Sequence, residues 1–142
     1  MAIHESGENY LEAILMLKES TGFVRSIDVA SYLGVTKPSV SRAMSILRND
    51  GYLEMEQDGE LILTDKGLSV AQNMYERHEL LTEYLVSLGV SRDIAADDAC
   101  RIEHVISQES FLKLRKHAKQ YHDIIIRDKH IQEEVSELNA DE

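Results

Sequence analysis

One stretch of alternating apolar and polar residues, 52–63, interrupts a chain whose other apolar residues recur at helical spacing. It turns at Asp58-Gly59, a pair that favours the tight turn of a β-hairpin. Periodicity and capping residues predict three helices before the hairpin and three after it. Their predicted ranges are 8–18, 26–33, 36–49, 65–88, 91–106 and 108–121. We therefore expect a mainly α-helical protein with one two-stranded hairpin.

The ends of the early helices carry their own signals. Ser26 is a good N-cap for the second helix, which Gly34 ends. Thr36 can cap the third helix, and Pro38 is tolerated in its first turn because an amide donor there has no helical partner. The tail from Asp123 is also helical in pattern. Two short helices separated by a tight turn are therefore expected before the hairpin.

The residues around this turn match a helix–turn–helix. Ala30, Gly34 and Val40 stand at positions 5, 9 and 15 of a window that begins at Ser26. They supply a small residue where two helices touch, a glycine in the turn and an apolar residue that points back. The hairpin follows directly, where a wing belongs, and predicts an N-terminal winged helix–turn–helix. An ordinary amphipathic core helix would also satisfy the three-residue pattern.

The outward side of the third helix carries side chains that suit DNA and lacks acidic residues. Arginine can bond guanine through two nitrogens, and serine or threonine can bond phosphates or base edges. The residues that we predict to contact double-stranded DNA are Arg25, Thr36, Lys37, Ser39, Ser41, Arg42, Ser45 and Arg48.

Charge is distributed unevenly along the chain. Fifteen Lys and Arg residues stand against 26 Asp and Glu residues, which gives a net charge of −11. Residues 22–53, however, hold four basic and two acidic residues, so the rest of the chain carries −13. This asymmetry permits a positive contact face on an acidic body, although a local fluctuation would look the same.

Composition also excludes several classes of protein. No apolar run approaches the roughly 18–20 residues that a transmembrane helix needs, and the N-terminus lacks the basic and apolar regions of a signal peptide. The single cysteine cannot form an internal disulfide. We therefore expect a cytoplasmic protein with no membrane partner.

A possible half of a metal site lies on the fifth predicted helix. Cys100, Glu103 and His104 stand at i, i+3 and i+4, so they are expected to face the same way. A thiolate, a carboxylate and an imidazole together suit a transition metal. A buried cysteine, a surface glutamate and a partnered histidine would equally produce this triplet. Asn9 and Glu12 on the first helix, and His78 on the fourth, could complete the site.

The order and spacing of four segments of the chain are similar to those of a known protein family. They are Glu8-Asn9-Tyr10-Leu11-Glu12, the winged helix, Arg77-His78-Glu79-Leu80-Leu81 and Ile102-Glu103-His104. Together they resemble the diphtheria-toxin-repressor family, in its short manganese-transport-regulator branch. The resemblance implies a homodimer in which a divalent metal promotes operator binding and represses genes of metal uptake. The metal ligands that it implies are Asn9, Glu12, His78, Cys100, Glu103 and His104.

The expected organisation follows from this resemblance. Residues 1–64 would form the DNA-binding domain, and residues 65–142 an all-helical dimerisation and metal-binding domain, connected by helix 65–88. Two recognition helices in a symmetric dimer would read a palindromic operator.

Two positions depart from the manganese branch of the family. Position 9 is usually an aspartate in the manganese regulators and a methionine in the iron regulators, and this chain has Asn9. Position 100 is a glutamate in the manganese branch and a cysteine in the iron branch, and this chain has Cys100. Because thiolate is softer than carboxylate, we expect Fe(II) as the favoured activator and Mn(II) as the second, with Zn(II) or Co(II) able to substitute.

Two other classes of function compete with the repressor. A helical di-iron enzyme would need Glu-x-x-His on two helices, and that spacing occurs nowhere in the chain. Phosphate-binding loops, nucleophile elbows and zincin motifs are absent as well, so we expect neither an enzyme nor a small-molecule substrate. A winged-helix regulator with a trigger other than metal would leave the six candidate ligands unexplained.

Overall fold

The computed structural model of the chain describes residues 5–120. Its elements are α1 (Glu5–Thr21), α2 (Ser26–Leu33), α3 (Lys37–Asn49), β1 (Leu53–Met55), β2 (Leu61–Leu63), α4 (Asp65–Ser87) and α5 (Arg92–Val105), followed by helical residues 108–120, here called α6. The predicted fold class and order of elements are confirmed, including the antiparallel pairing of β1 with β2. The predicted helix in the tail lies outside the described residues.

The caps of α2 and α3 show one error and one success of the sequence analysis. The N-cap of α2 is Arg25 and not Ser26, because the Asp28 carboxylate accepts a hydrogen bond from the Arg25 backbone N–H at 2.8 Å. That bond fixes the start of the helix one residue earlier than a Ser26 cap would. Thr36 caps α3 as predicted, since its hydroxyl accepts from the Ser39 backbone N–H. Gly34 forms the turn between them with φ 66, a left-handed conformation that favours glycine.

The N-terminal elements share one apolar core. Its buried side chains come from all three helices and from the hairpin, and the largest of those that are fully buried are Leu11, Ile14, Val24, Val29, Val40, Met44, Leu53 and Leu61. The Leu61 backbone N–H donates to the Val24 carbonyl at 2.8 Å, which attaches the hairpin to the segment before α2. The hairpin therefore lies beside the helix–turn–helix in the position of a wing.

The start of α4 is tightly joined to the end of α3. A Cβ on Gly67 would lie 1.9 Å from the Tyr52 carbonyl oxygen, so only glycine permits this close approach. The Thr64 hydroxyl donates to the Gly51 carbonyl at 2.7 Å, and Lys66 Nζ donates to the Asp50 carbonyl at 3.0 Å. The helix after the wing is thus held firmly to the recognition helix.

The long helix α4 brings the two halves of the molecule together. It packs against both α1 and α5, whereas α1 meets α5 over a much smaller surface. Within residues 5–120, no helix is long and apolar enough to cross a membrane. The small contact between α1 and α5 is where most of the predicted metal ligands meet.

Candidate metal centre

Three of the predicted ligands converge between α1 and α5. Glu12, Glu103 and His104 each offer one ligand atom, and these atoms all lie within 4.8 Å of one another. Glu12 belongs to the one stretch of α1 that is buried at four successive residues, 11–14, where that helix faces the rest of the protein. Glu103 is fully buried, with 0% of its side chain exposed. The helices therefore place two carboxylates and an imidazole around a single point.

His78 on α4 completes the arrangement from a third side. Its Nδ1 lies 2.9 Å from Glu103 Oε2, while His104 Nε2 lies 3.2 Å from Glu103 Oε1. The Glu103 carboxylate thus stands between two imidazole rings, one from α4 and one from its own helix. The structure accordingly brings together four of the six residues proposed from the sequence.

Glu8 is an acidic neighbour that the sequence analysis left outside its ligand set. Its Oε1 lies 3.4 Å from His104 Nδ1, and its side chain is 17% exposed. The signal that could have found it is its position four residues before Glu12, which puts both carboxylates on the same face of α1. It holds the ring nitrogen of His104 that points away from Glu103.

Several atoms of the cluster lack hydrogen-bond partners. Glu12 Oε2 is buried without one among the described residues, and Glu103 Oε1 and His104 Nε2 are buried with only their mutual 3.2 Å contact, which lacks hydrogen-bond geometry. A buried polar atom left unpaired costs about 1–3 kcal/mol, and more if it is charged. Oxygen and imidazole nitrogen atoms that converge without partners are the donors that first-row divalent metals prefer. The residues present therefore fit a divalent transition metal.

The pKa values of the clustered side chains also agree with a site for a cation. Burial raises the pKa of Glu12 to about 8, with a further contribution from the hydrogen bond and negative charge of Glu103. Burial also acts to raise the pKa of Glu103, but the close contact with the His104 ring and the hydrogen bond with His78 outweigh it and lower that pKa. The hydrogen bond to Glu103 raises the pKa of His78. Without a cation the cluster therefore tends to hold protons, and a metal ion would have to displace them.

His104 responds to the same neighbours. Burial alone would lower the pKa of its ring, but the adjacent Glu103 carboxylate, 3.2 Å away, together with the charge of Glu8, raises it. The carboxylates that act on His104 therefore come from both α1 and α5.

Cys100 and Asn9 lie at the edge of this cluster. Cys100 is exposed, and its sulfur is not among the clustered atoms of the described residues. It stands one turn before Glu103 and His104 on the same side of α5, and the charges of Glu103 and Glu12 act on its thiol. Burial, followed by the charges of Glu103 and Glu12, raises the pKa of its thiol. Asn9 is half-buried one residue after Glu8. Both stay predicted ligands.

The predicted DNA face is accessible. All eight residues proposed for it are exposed. Arg42 and Ser45 stand on the side of α3 opposite the buried Val40, Met44 and Leu47. Asn49 continues this row four residues after Ser45 and is exposed as well, which the spacing could have indicated.

Arg25 and the wing complete the surroundings of this face. The Arg25 guanidinium lies 5.0 Å from the centre of the Phe23 ring, and its side chain passes beside Gly59 at the turn of the hairpin. The hairpin itself carries four acidic residues and no basic one: Glu54, Glu56, Asp58 and Glu60. The wing therefore adds no positive charge to this face, and the cations close to it are those of α3, Arg25 and Lys66 at the end of α3.

Comparisons with known proteins agree with both the candidate metal centre and the predicted DNA-binding face. Residues 2–61 match the family model for the N-terminal DNA-binding domain of iron-dependent repressors, and residues 64–123 match the model for their metal-binding and dimerisation domain. The HTH-type transcriptional regulator MntR of Bacillus pumilus is 40% identical over 105 residues, which are 74% of this chain and 73% of that protein. The transcriptional regulator MntR of Salmonella typhimurium is 37% identical over 103 residues, 72% of this chain and 66% of that protein.

Solved structures of similar fold point to the same kind of protein. A manganese-dependent transcriptional repressor in complex with manganese has a TM-score of 0.73 at 29% identity and covers 80% of this chain. The manganese regulator SloR has a TM-score of 0.72 at 25% identity and covers 84% of this chain. The matches span 52% and 55% of those two longer chains. The present chain thus spans about half the length of the solved structures and about two thirds of the Salmonella relative.

Proposed function

The chain belongs to the iron-dependent repressor family, and we propose that it is a metal-activated, homodimeric repressor that binds operator DNA upstream of genes for divalent-metal uptake. Its family consists of transcription regulators and not of enzymes. The observation that carries the proposal is the set of buried ligand atoms of Glu12, Glu103 and His104, which converge within 4.8 Å of one another between α1 and α5 and lack hydrogen bonds. Such a repressor works in the compartment that holds the DNA, which we propose is the cytoplasm.

We propose that the chain divides into a DNA-binding domain, residues 1–64, and a dimerisation and metal-binding domain, residues 65–142, with α4 as the connection. The candidate ligands then lie on both sides of the boundary. Those that we propose are Asn9 and Glu12 from the first domain, and His78, Cys100, Glu103 and His104 from the second. A bound divalent cation would supply the positive charge that the paired carboxylates lack.

The role of the ligands follows from their positions. Glu12 and Glu103 are two buried acids that face each other across the small contact between α1 and α5, so their charges oppose that contact when both are ionised. Once their charge is compensated, the same two side chains hold α1 against α5. Because α1 shares its core with α3, this contact adds to the packing of α4 on α1 and α5 in setting the orientation of the recognition helix relative to α5.

The proposed dimer has an apolar surface available on the helices after the wing. The exposed large apolar side chains there are Leu88, Ile94, Val105 and Leu112. A symmetric pair would bury such side chains and present two copies of α3 to successive major grooves, so the operator is expected to be palindromic. Since the wing is acidic, DNA contact is expected on α3 and Arg25.

Replacing Arg42 with alanine is expected to weaken operator binding by about 1–3 kcal/mol and to reduce the preference for the operator over random DNA. Arg42 is exposed at the centre of the outward face of α3, where a guanidinium can reach a base edge. Fluorescence anisotropy with operator and random duplexes, at fixed salt and saturating metal, measures both effects. Arg101→Ala, an exposed arginine on α5, is the matched control. Parental affinity for both duplexes would show that α3 is not the recognition helix.

We propose Fe(II) as the preferred activator and Mn(II) as the second, with Zn(II) and Co(II) able to bind. Cys100 supports this order, because a thiolate is softer than the carboxylate that suits Mn(II). Asn9 adds to it, since an amide offers less negative charge to a hard, weakly held ion. The names of the similar proteins favour Mn(II) instead, so the order requires a direct test.

Replacing Cys100 with glutamate is expected to shift the response toward Mn(II), because it adds a carboxylate one turn before Glu103. The measurement is the free metal concentration that gives half-maximal operator binding, determined without oxygen in metal-buffered solution. Cys100→Ser separates loss of the thiol from gain of a carboxylate. If the parent protein responds to Mn(II) at a lower free concentration than to Fe(II), the proposed order is wrong.

A further inference from the structure

Arg77 is a buried cation beside the metal centre that has no role so far. Arg77 lies on α4 directly before His78, and only 7% of the residue is exposed. No carboxylate lies within 4.0 Å of its guanidinium among the described residues. Burying an arginine without an acidic partner is expensive unless other groups replace water. The buried guanidinium therefore needs hydrogen-bond acceptors from the protein in place of water.

Its partners are the carbonyl groups at the end of α5. Arg77 Nη1 donates to the Glu103 carbonyl at 3.0 Å and to the Ile106 carbonyl at 2.8 Å, and Nη2 donates to Gln108 Oε1 at 2.7 Å. The last carbonyls of a helix have no partner within the helix and carry its partial negative charge. Arg77 satisfies them and ties the end of α5 to the start of α6.

Two successive residues of α4 therefore hold the same residue of α5. Arg77 binds the backbone carbonyl of Glu103, and His78 binds its side chain at 2.9 Å. These bonds fix Glu103 at both ends, and they fix His104, the next residue, along with it. A lysine could not reproduce this, because its single ammonium lacks the planar fork that serves two separate partners.

We propose that Arg77 is a positioning residue of the metal centre, which sets the geometry of Glu103 and His104 toward His78 and Glu12. The inference rests on the proposed function, since it takes these residues as metal ligands. Groups that orient metal ligands without touching the metal typically contribute 10–100-fold to metal affinity. Arg77 is expected to act in this range.

The chain offers a matched control for the experiment. The Arg115 guanidinium lies 5.8 Å from the centre of the Phe111 ring, and that of Arg77 lies 5.2 Å from the same ring. Arg115, however, pairs with Glu76 at the surface and does not bind α5. Arg115→Gln therefore removes a similar stacked guanidinium without releasing Glu103.

The test measures Co(II) binding to full-length Arg77→Gln and Arg77→Lys by competition with a chelating indicator, together with the visible absorption spectrum of bound Co(II). We expect both variants to bind Co(II) about 10–100-fold more weakly than the parent and with an altered spectrum, while Arg115→Gln matches the parent. A purely structural role would lower the melting temperature of the apo protein and leave the Co(II) spectrum unchanged. Parental affinity and spectrum in folded Arg77→Gln would overturn the inference.

Two other results, a variant that does not fold and a parent that binds no Co(II), lead to different conclusions. If Arg77→Gln does not fold, Gln108→Ala decides, because it removes one partner of Arg77 outside the ligand set. It is expected to weaken Co(II) binding several-fold, and unchanged binding and spectrum would reject the inference. If the parent itself binds no Co(II), the proposed metal centre fails and this inference fails with it.

Discussion

Replacing Glu103 with glutamine is expected to abolish metal-dependent DNA binding without unfolding the protein. Its carboxylate is fully buried and lies against His78, His104 and Glu12. Loss of a group that merely orients a ligand costs about 10–100-fold in metal affinity, so the loss of a central carboxylate is expected to cost at least about 100-fold. The amide keeps the shape of the side chain and can still accept a hydrogen bond from His78.

The apo form of this variant provides an independent readout. Because part of the rise in the Glu12 pKa comes from Glu103, removing that neighbour's charge is expected to lower the Glu12 pKa from about 8. The melting temperature of the apo protein is expected to stay the same or to rise, since one buried charge has been removed.

The matched control is Glu83→Gln, which makes the same chemical change at an exposed ion pair with Arg92 on the surface. Metal affinity, from competition with a chelator, and operator affinity, from anisotropy, are compared with those of the parent. Metal-dependent operator binding in Glu103→Gln at the parent's metal concentrations would remove Glu103 from the site.

Removing the metal from the parent is the second change with a large expected effect. The candidate ligands lie on α1, α4 and α5, and α1 belongs to the core of the DNA-binding unit. Compensating the charges of Glu12 and Glu103 therefore couples this unit to the rest of the chain. Coupling of this kind is typically worth 1–3 kcal/mol, which corresponds to a change in operator affinity of about 5–150-fold.

The fold could be predicted largely from local signals in the sequence. Helical periodicity, the Thr36 cap and the Asp58-Gly59 turn each act within a few residues, and the structure confirms the elements that they predict. Ser26 shows where such signals compete. It is a good cap by type, but the Asp28 carboxylate binds the Arg25 amide and starts the helix there.

The candidate site could be predicted only in part, because it depends on contacts between distant helices. Glu103 and His104 are neighbours on α5, but the packing of α1 on α4 decides that Glu12 faces them. Cys100 is exposed although it stands one turn before the buried Glu103, and spacing along α5 does not reveal this difference. The contacts of Arg77 with backbone carbonyls leave no pattern in the sequence at all.

The measurement that tests the central claim most directly is operator affinity of the parent protein with and without Fe(II) or Mn(II), at fixed salt and pH and without oxygen. Salt must be fixed because binding to phosphates depends steeply on it. The account predicts that metal raises operator affinity by about 5–150-fold in the parent and leaves Glu103→Gln unchanged. Equal operator affinity of the parent with and without metal would contradict it and would indicate a winged-helix regulator with a different trigger.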